Sequence, residues 1–393
     1  MHRLLSILLL TTIFLPAWKP ASAQGNSELI VPFYSESLRI TYNPSLLLPD
    51  KPAINDRALS QYFHALSQTD YSPLLRSLSQ SKKVFQLNDW LYYQLMRKVL
   101  DELYASRSGV EKELACWFLL SQAGYDTRLA YLGEEAFVYV YSQDAVFEAP
   151  VIEDKGRQFV NLTNIRTAGG QQRALYLLNF QPSAQGNAFS FQLNKLPLLR
   201  PREVPVKVRF LYRGQWNELE VKADQTIRQY MAEYPLIDEA QYLDVPFSPT
   251  LSASLLPQLR HLLKDKSEWE KAELLAAFTR SSFAYKEDKE YFGYSKPMVA
   301  EEVFLYPFSD CEDRSALYVQ LCQEFLGLPM IVLAYPDHLT VAIALPQTKS
   351  GFVRYKSKAY YICDPTGPAN SAVVGEIPEG YENTPFDIIK EYK

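Results

Sequence analysis

Residues 309–329 read SDCEDRSALYVQLCQEFLGLP. A cysteine stands among acidic residues where an apolar, helix-periodic run begins, and Gly327 closes that run as helix-ending glycines do. Ser309 and Glu312 have capping-box spacing, which places Cys311 in the first helical turn. There the helix dipole and an imidazolium neighbour would lower a thiol pKa, and free backbone N–H groups could hold an oxyanion. Asp310, Glu312 and Asp313 work against thiolate formation. A cysteine in an apolar helix is ordinarily core, but the polar residues on both sides of Cys311 favour a nucleophile.

A nucleophile needs a base. His338 opens the strand-like run HLTVAIAL after a Pro336-Asp337 turn, and Asp364 ends AYYICD, where Pro365 stops strand pairing. If the helix packs on an antiparallel sheet, a strand start and a strand end can meet beside the helix start. The cysteine then attacks, the histidine relays the proton and the aspartate fixes the tautomer. Taken singly, His338 reads as structural and Asp364 as a turn residue; their order and grouping favour a triad. Cys116 and Cys322 lie within apolar helical pattern and read as core. Cys363 should point away from Asp364 by strand alternation. Cys311 and Cys322 would be about 16 Å apart on one continuous helix, too far for a disulfide. There is no CxxC, and beyond the leader the histidines are His64, His261 and His338, so neither a metal site nor a cofactor is expected.

The pieces SDCEDRSALYVQLCQEFLGLP, AYPDHLTVAIAL and YYICDPTGP resemble the transglutaminase-like superfamily over residues 267–366. The resemblance implies an α+β fold with a papain-like core, in which the cysteine-bearing helix packs on an antiparallel sheet. It implies Cys311 as nucleophile, His338 as base and Asp364 as orienting group. Ser309 stands where the family commonly has glycine. The family's side-chain oxyanion donor has no clear counterpart; Tyr306, Tyr294 and Tyr291 are candidates for it or for the substrate cleft. The chemistry implied is acyl transfer from an amide through a thioester. Water as acceptor gives a peptidase or deamidase, and an amine gives cross-linking. The expectation is a thiol enzyme acting on amide bonds of peptide or protein substrates, including cell-envelope peptides. The rival reading is an inactive module of the same fold that binds peptide or glycan.

Organisation follows from the same patterns. MHRLLSILLLTTIFLPAWKPASA (1–23) has the basic start, short apolar run and small-residue ending of a cleaved export signal, with Ala23 the last residue removed. It implies a periplasmic or secreted protein with no membrane span after cleavage. Residues 24–198 and 199–393 then form two related domains. Trp90 and Trp269 each open a long helix, a second glycine-ended helix follows, and strands come after in the same order. Counting from the glycines sets Ser108 opposite Cys311. The tyrosines Tyr131 and Tyr335 set Glu134 opposite His338, and Asp364 falls against Asn161 or Leu162. The first domain is thus a degenerate copy. It lacks the tyrosine-rich segment at 286–310, which is expected to wall the cleft. A linker is read at 194–205, followed by a hairpin.

Net charge is −5, without a Lys/Arg run, which argues against nucleic acid as a partner. Apolar content of 47% is ample for two cores.

Overall fold

Alternating residues over 27–42 bury Val31, Phe33, Leu38 and Ile40 on one face of an antiparallel hairpin, β1 (Ser27–Phe33) and β2 (Glu36–Tyr42). Four helices follow: α1 (Asp56–Ser67), α2 (Ser72–Val84), α3 (Asp89–Leu103) and α4 (Gly109–Gln122). The computed structural model describes residues 25–165, 174–182, 185–346, 351–367, 373–378 and 380–393. The leader read at 1–23 lies outside them. No helix among the described residues is long and apolar enough to cross a membrane.

The architecture is α+β. Helix α4 packs on an antiparallel sheet of β3 (Thr127–Leu132), β4 (Glu135–Tyr141), β5 (Val151–Asp154), β6 (Arg157–Asn161) and β7 (Tyr176–Leu177), in spatial order β5-β6-β4-β3-β7. Of the strand-like runs that follow β6, RALYLLNF pairs only at β7 among its described residues, and AFSFQL pairs as no regular strand. Its Phe189 and Phe191 instead fill the first core. The hairpin expected after 205 is β8 (Glu203–Tyr212) with β9 (Gln215–Asp224).

Next come α5 (Gln225–Met231), α6 (Glu239–Tyr242), α7 (Pro249–Leu262) and α8 (Glu268–Ser282). Ser267 and Glu270 close a capping box at the start of α8. A short parallel pair joins β10 (Ala284–Tyr285) to β11 (Phe308–Ser309), with α9 (Asp288–Tyr291) between them. Helix α10 (Cys311–Phe325) packs on a second antiparallel sheet. Its strands are β12 (Met330–Tyr335), β13 (His338–Ile343), β14 (Phe352–Tyr355), β15 (Lys358–Ile362) and β16 (Asp387–Tyr392), in order β14-β15-β13-β12-β16.

The two sheets have the same strand order once β5, β6, β4, β3 and β7 are set against β14, β15, β13, β12 and β16. Strand register corrects the pairings counted from sequence. Leu132 pairs Glu135 across the first turn as Tyr335 pairs His338 across the second, so Glu135, not Glu134, occupies the histidine position. Asn161 pairs Tyr139 as Ile362 pairs Ala342, which sets Thr163 against Asp364. The error came from aligning two LAY triplets that lie one strand position apart.

The cores do not divide at 198/199. The hairpin residues Val208, Phe210, Leu219 and Val221 belong to the second core. Ile227, Tyr230, Met231, Tyr234, Ile237, Tyr242 and Val245 then return to the first core, as does Val299. The stretch read as a linker is fastened to the first half: Leu198 N–H donates to Phe85 O (2.8 Å), and Arg200 N–H and Nη2 donate to Glu36 (2.7 and 2.8 Å).

Candidate active site

Cys311 is the first residue of α10 and only 5% exposed. The cap differs from the one expected. Asp310 is the N-cap, and Asp313 accepts its N–H at 3.1 Å. Ser309 is buried and accepts from Arg314 Nε at 3.2 Å. Burial pushes the Cys311 thiol well above its ordinary pKa, and the Glu312 carboxylate pushes it further, with a smaller contribution from Asp310; the Leu339 backbone N–H opposes them. The sulfur donates to Glu312 Oε2 at 3.0 Å. The resting group is therefore a thiol, and its hydrogen bond goes to Glu312 rather than to an imidazole.

His338 opens β13 straight after the two-residue turn at 336–337. Its Nε2 lies 3.3 Å from Asp364 Oδ1 and 3.4 Å from Thr366 Oγ1. The same Asp364 oxygen accepts from Thr366 Oγ1 (2.8 Å), Thr366 N–H (3.2 Å) and Thr340 Oγ1 (3.3 Å). The Arg280 guanidinium donates to the Asp364 carbonyl oxygen. Burial works against charge on Asp364, but His338, Thr366 and Arg280 outweigh it and hold the carboxyl below its usual range. Tyr381 stacks on the His338 ring at 5.2 Å and 28°, and its hydroxyl donates to Asp337 Oδ1 at 2.7 Å.

Helix and strand are tied beside the thiol. Ser315, one turn into α10, donates to Leu339 O at 3.2 Å, while the N–H of Leu339 faces the sulfur. The structure thus brings His338 and Asp364 into direct contact and sets Cys311 against the residue that follows His338.

The three candidate tyrosines make other contacts. The Tyr306 ring is flanked by the Arg228 guanidinium (4.2 Å) and Lys296 Nζ (4.6 Å). Tyr294 lines a cavity of about 340 Å³ whose other wall includes Ile165, Tyr234 and Tyr242 of the first core. Tyr291 packs on Phe292 and Phe308. Two other tyrosines stand nearer the site: Tyr381 on the His338 ring and Tyr285 over the Arg314 guanidinium. Thr366 sits inside the DPTGP stretch, where an Asp two residues before a Thr signals a side-chain turn. Tyr381 and the carboxylate role of Glu312 carry no comparable signal.

The four cysteines are free and buried. Cys363 joins the core around Trp269 and Tyr318. The sequence names no metal site; among the described residues, one grouping has ligand spacing. Oxygens of Asp288, Asp310 and Asp313 lie within 4.8 Å of one another. These carboxylates already accept backbone N–H groups from Lys296, Asp288, Asp310 and Met298, which accounts for the cluster as the brace of the segment leading into α10. Burial raises the Asp288 pKa to about 6 and that of Asp313 to about 7.

Comparison with family models, curated proteins and solved structures returns no match to this sequence.

Proposed function

We propose that this protein is an exported, transglutaminase-like thiol enzyme that acts on amide bonds of peptide-like substrates, with water as the default acceptor. The observation that carries the reading is the His338–Asp364 pair, held by Thr366 and Thr340, beside a strand residue whose N–H faces the Cys311 sulfur. Nε2 of His338 is engaged by Asp364 and Thr366, which leaves Nδ1 to exchange a proton with sulfur.

In the proposed reaction the thiol proton passes to His338 and the sulfur attacks the amide carbonyl carbon. The oxyanion forms against first-turn N–H groups of α10. The C–N bond then breaks, and the amine leaves with the proton held by His338. Water then gives a proton to His338 as it attacks the thioester carbon, the C–S bond breaks to release the acid, and His338 passes that proton to sulfur to restore the thiol. Substrate binding must also turn the thiol away from Glu312. The first half, with the same strand order but Glu135 and Thr163 at the histidine and aspartate positions, is on this reading a copy without the reactive set.

A second reading, a binding module of the same fold, is favoured by one observation: the nearly buried thiol is hydrogen-bonded to a carboxylate. Iodoacetamide alkylation of Cys311 across pH 5–10, in the wild type and in His338→Ala, separates the two. The enzyme reading expects a reactive phase near neutral pH that His338→Ala removes, together with thioester trapping from peptide amides. A single slow phase at high pH, identical in both proteins, supports the binding module.

A further inference from the structure

His338 also lines a cavity of about 410 Å³, together with Arg280, Phe283, Tyr285, Arg314, Thr366 and Gly367. Two of its walls are guanidiniums, and both are buried, Arg280 at 5% and Arg314 at 2% exposure. Two buried cations in one wall are costly unless something compensates them.

The partners of Arg314 are all neutral. Nε donates to Ser309 Oγ, Nη1 to Arg280 O (3.3 Å) and Thr366 O (3.4 Å), and Nη2 to Phe283 O (2.6 Å). Tyr285 lies over the guanidinium at 5.1 Å. These bonds give Arg314 a structural duty, since they gather carbonyls from the end of α8 and from the strand end that carries Asp364. They do not use it up. A guanidinium has five N–H donors, one Nη2 proton is left by these four bonds, and among the described residues no carboxylate lies within ion-pair distance of it. Burial disfavours charge on both groups; Asp364 and Glu376 oppose it on Arg280, and Asp313 and Asp310 oppose it on Arg314, where Arg280 adds to the pressure, and in both the charged form stays below its ordinary stability. A visiting anion would relieve it.

We propose that Arg280 and Arg314 form a carboxylate-binding subsite beside His338, so that the preferred substrate carries a free carboxylate close to its scissile amide. The Nη2 proton left on Arg314 can donate a charge-assisted bond to a carboxylate oxygen, and a low-dielectric wall strengthens that bond. Tyr285 contributes an aromatic face, since its ring lies over the Arg314 guanidinium in the same wall. Two chemistries supply such a group, an acidic side chain and the terminal carboxylate of a peptide. The inference rests on the hydrolase reading only in calling the ligand a substrate.

The test uses the full mature protein with the substitution Cys311→Ala, so that binding is read without turnover. Four probes differ only in their carboxylates: acetyl-Ala-Glu, acetyl-Ala-Gln, acetyl-Ala-Glu-amide and acetyl-Ala-Gln-amide. Calorimetry at pH 7 is expected to show the last probe binding at least tenfold more weakly than the best of the others. Preference for acetyl-Ala-Gln assigns the terminal carboxylate, and preference for acetyl-Ala-Glu-amide assigns the acidic side chain. Arg314→Lys, with folding checked by melting temperature, and Arg280→Gln should each reduce the preference at least threefold. Equal binding of all four probes overturns the subsite, as does a preference that survives both substitutions unchanged. If carboxylate probes bind but the wild type cleaves no amide next to them, the subsite stands and the enzyme reading falls.

Discussion

At the scale of single residues, Glu312 is the unusual neighbour. Its carboxylate accepts the thiol proton at 3.0 Å and, after burial, does most to raise the thiol pKa. Glu312→Gln removes the charge and keeps an acceptor. Alkylation of Cys311 at pH 7 should therefore accelerate about tenfold for each unit by which the thiol pKa falls. Slower alkylation in a folded variant would make Glu312 the base in place of His338. Asp364→Asn leaves the carbonyl that Arg280 grips and removes the charge facing Nε2. It should cost activity by a factor of at least about one hundred with little change in melting temperature, because the loss lies in imidazole orientation. Steady-state kinetics beside thermal unfolding checks both halves of that statement.

At the scale of elements, the start of α10 joins the proposed nucleophile to the stability of the fold. Asp288 and Asp313 brace the segment before it, with pKa values raised by burial to about 6 and about 7. The folded protein holds these protons more tightly than the unfolded state does. Their contribution is complete below about pH 4 and is lost as pH rises through about 6 to 7. Melting temperature should fall between pH 5.5 and pH 8, and Asp288→Asn should flatten that slope, since the asparagine oxygen still accepts the Lys296 N–H. A slope unchanged by Asp288→Asn would remove this group from the account. Asp313→Ala loses the acceptor of both Asp310 N–H and Met298 N–H. A cost of about 1–2 kcal/mol, the range for a lost helix cap, is expected by denaturant titration. Much of this was legible in the sequence. Cys311, His338 and Asp364 each stand at the end of an element, where helix, turn and proline signals are strongest. What was not legible depends on residues far apart in the sequence. Tyr306 is claimed by Arg228 and Lys296, and no local pattern announces that an aromatic ring will stack on cations rather than face a thiol. The cap moved by one residue because both Asp310/Asp313 and Ser309/Glu312 have box spacing, and only packing chooses between them.

At the scale of the whole molecule, the path of the backbone matters more than the count of domains. Residues 203–224 cross into the second core, the apolar residues of 227–245 return to the first except Leu243, and α7 begins the second again with Leu251 and Leu255. The segment before the thiol also bridges the cores, since Val299 belongs to the first while Met298 N–H anchors on Asp313. Expressed alone, 24–198 and 199–393 should each be insoluble, because each lacks apolar residues that complete its core or exposes those meant for the other. The intact protein should melt in one transition by calorimetry; two resolved transitions would show that the cores are independent. The tip of the β8–β9 hairpin, at Arg213 and Gly214, is an exposed two-residue turn with both residues at positive φ. A polypeptide divided there leaves each piece carrying a part of the other's interior. The separated pieces should find one another when mixed and recover thiol reactivity. The hairpin tip is thus a natural position for a two-part reporter, whose signal appears only when the fragments meet.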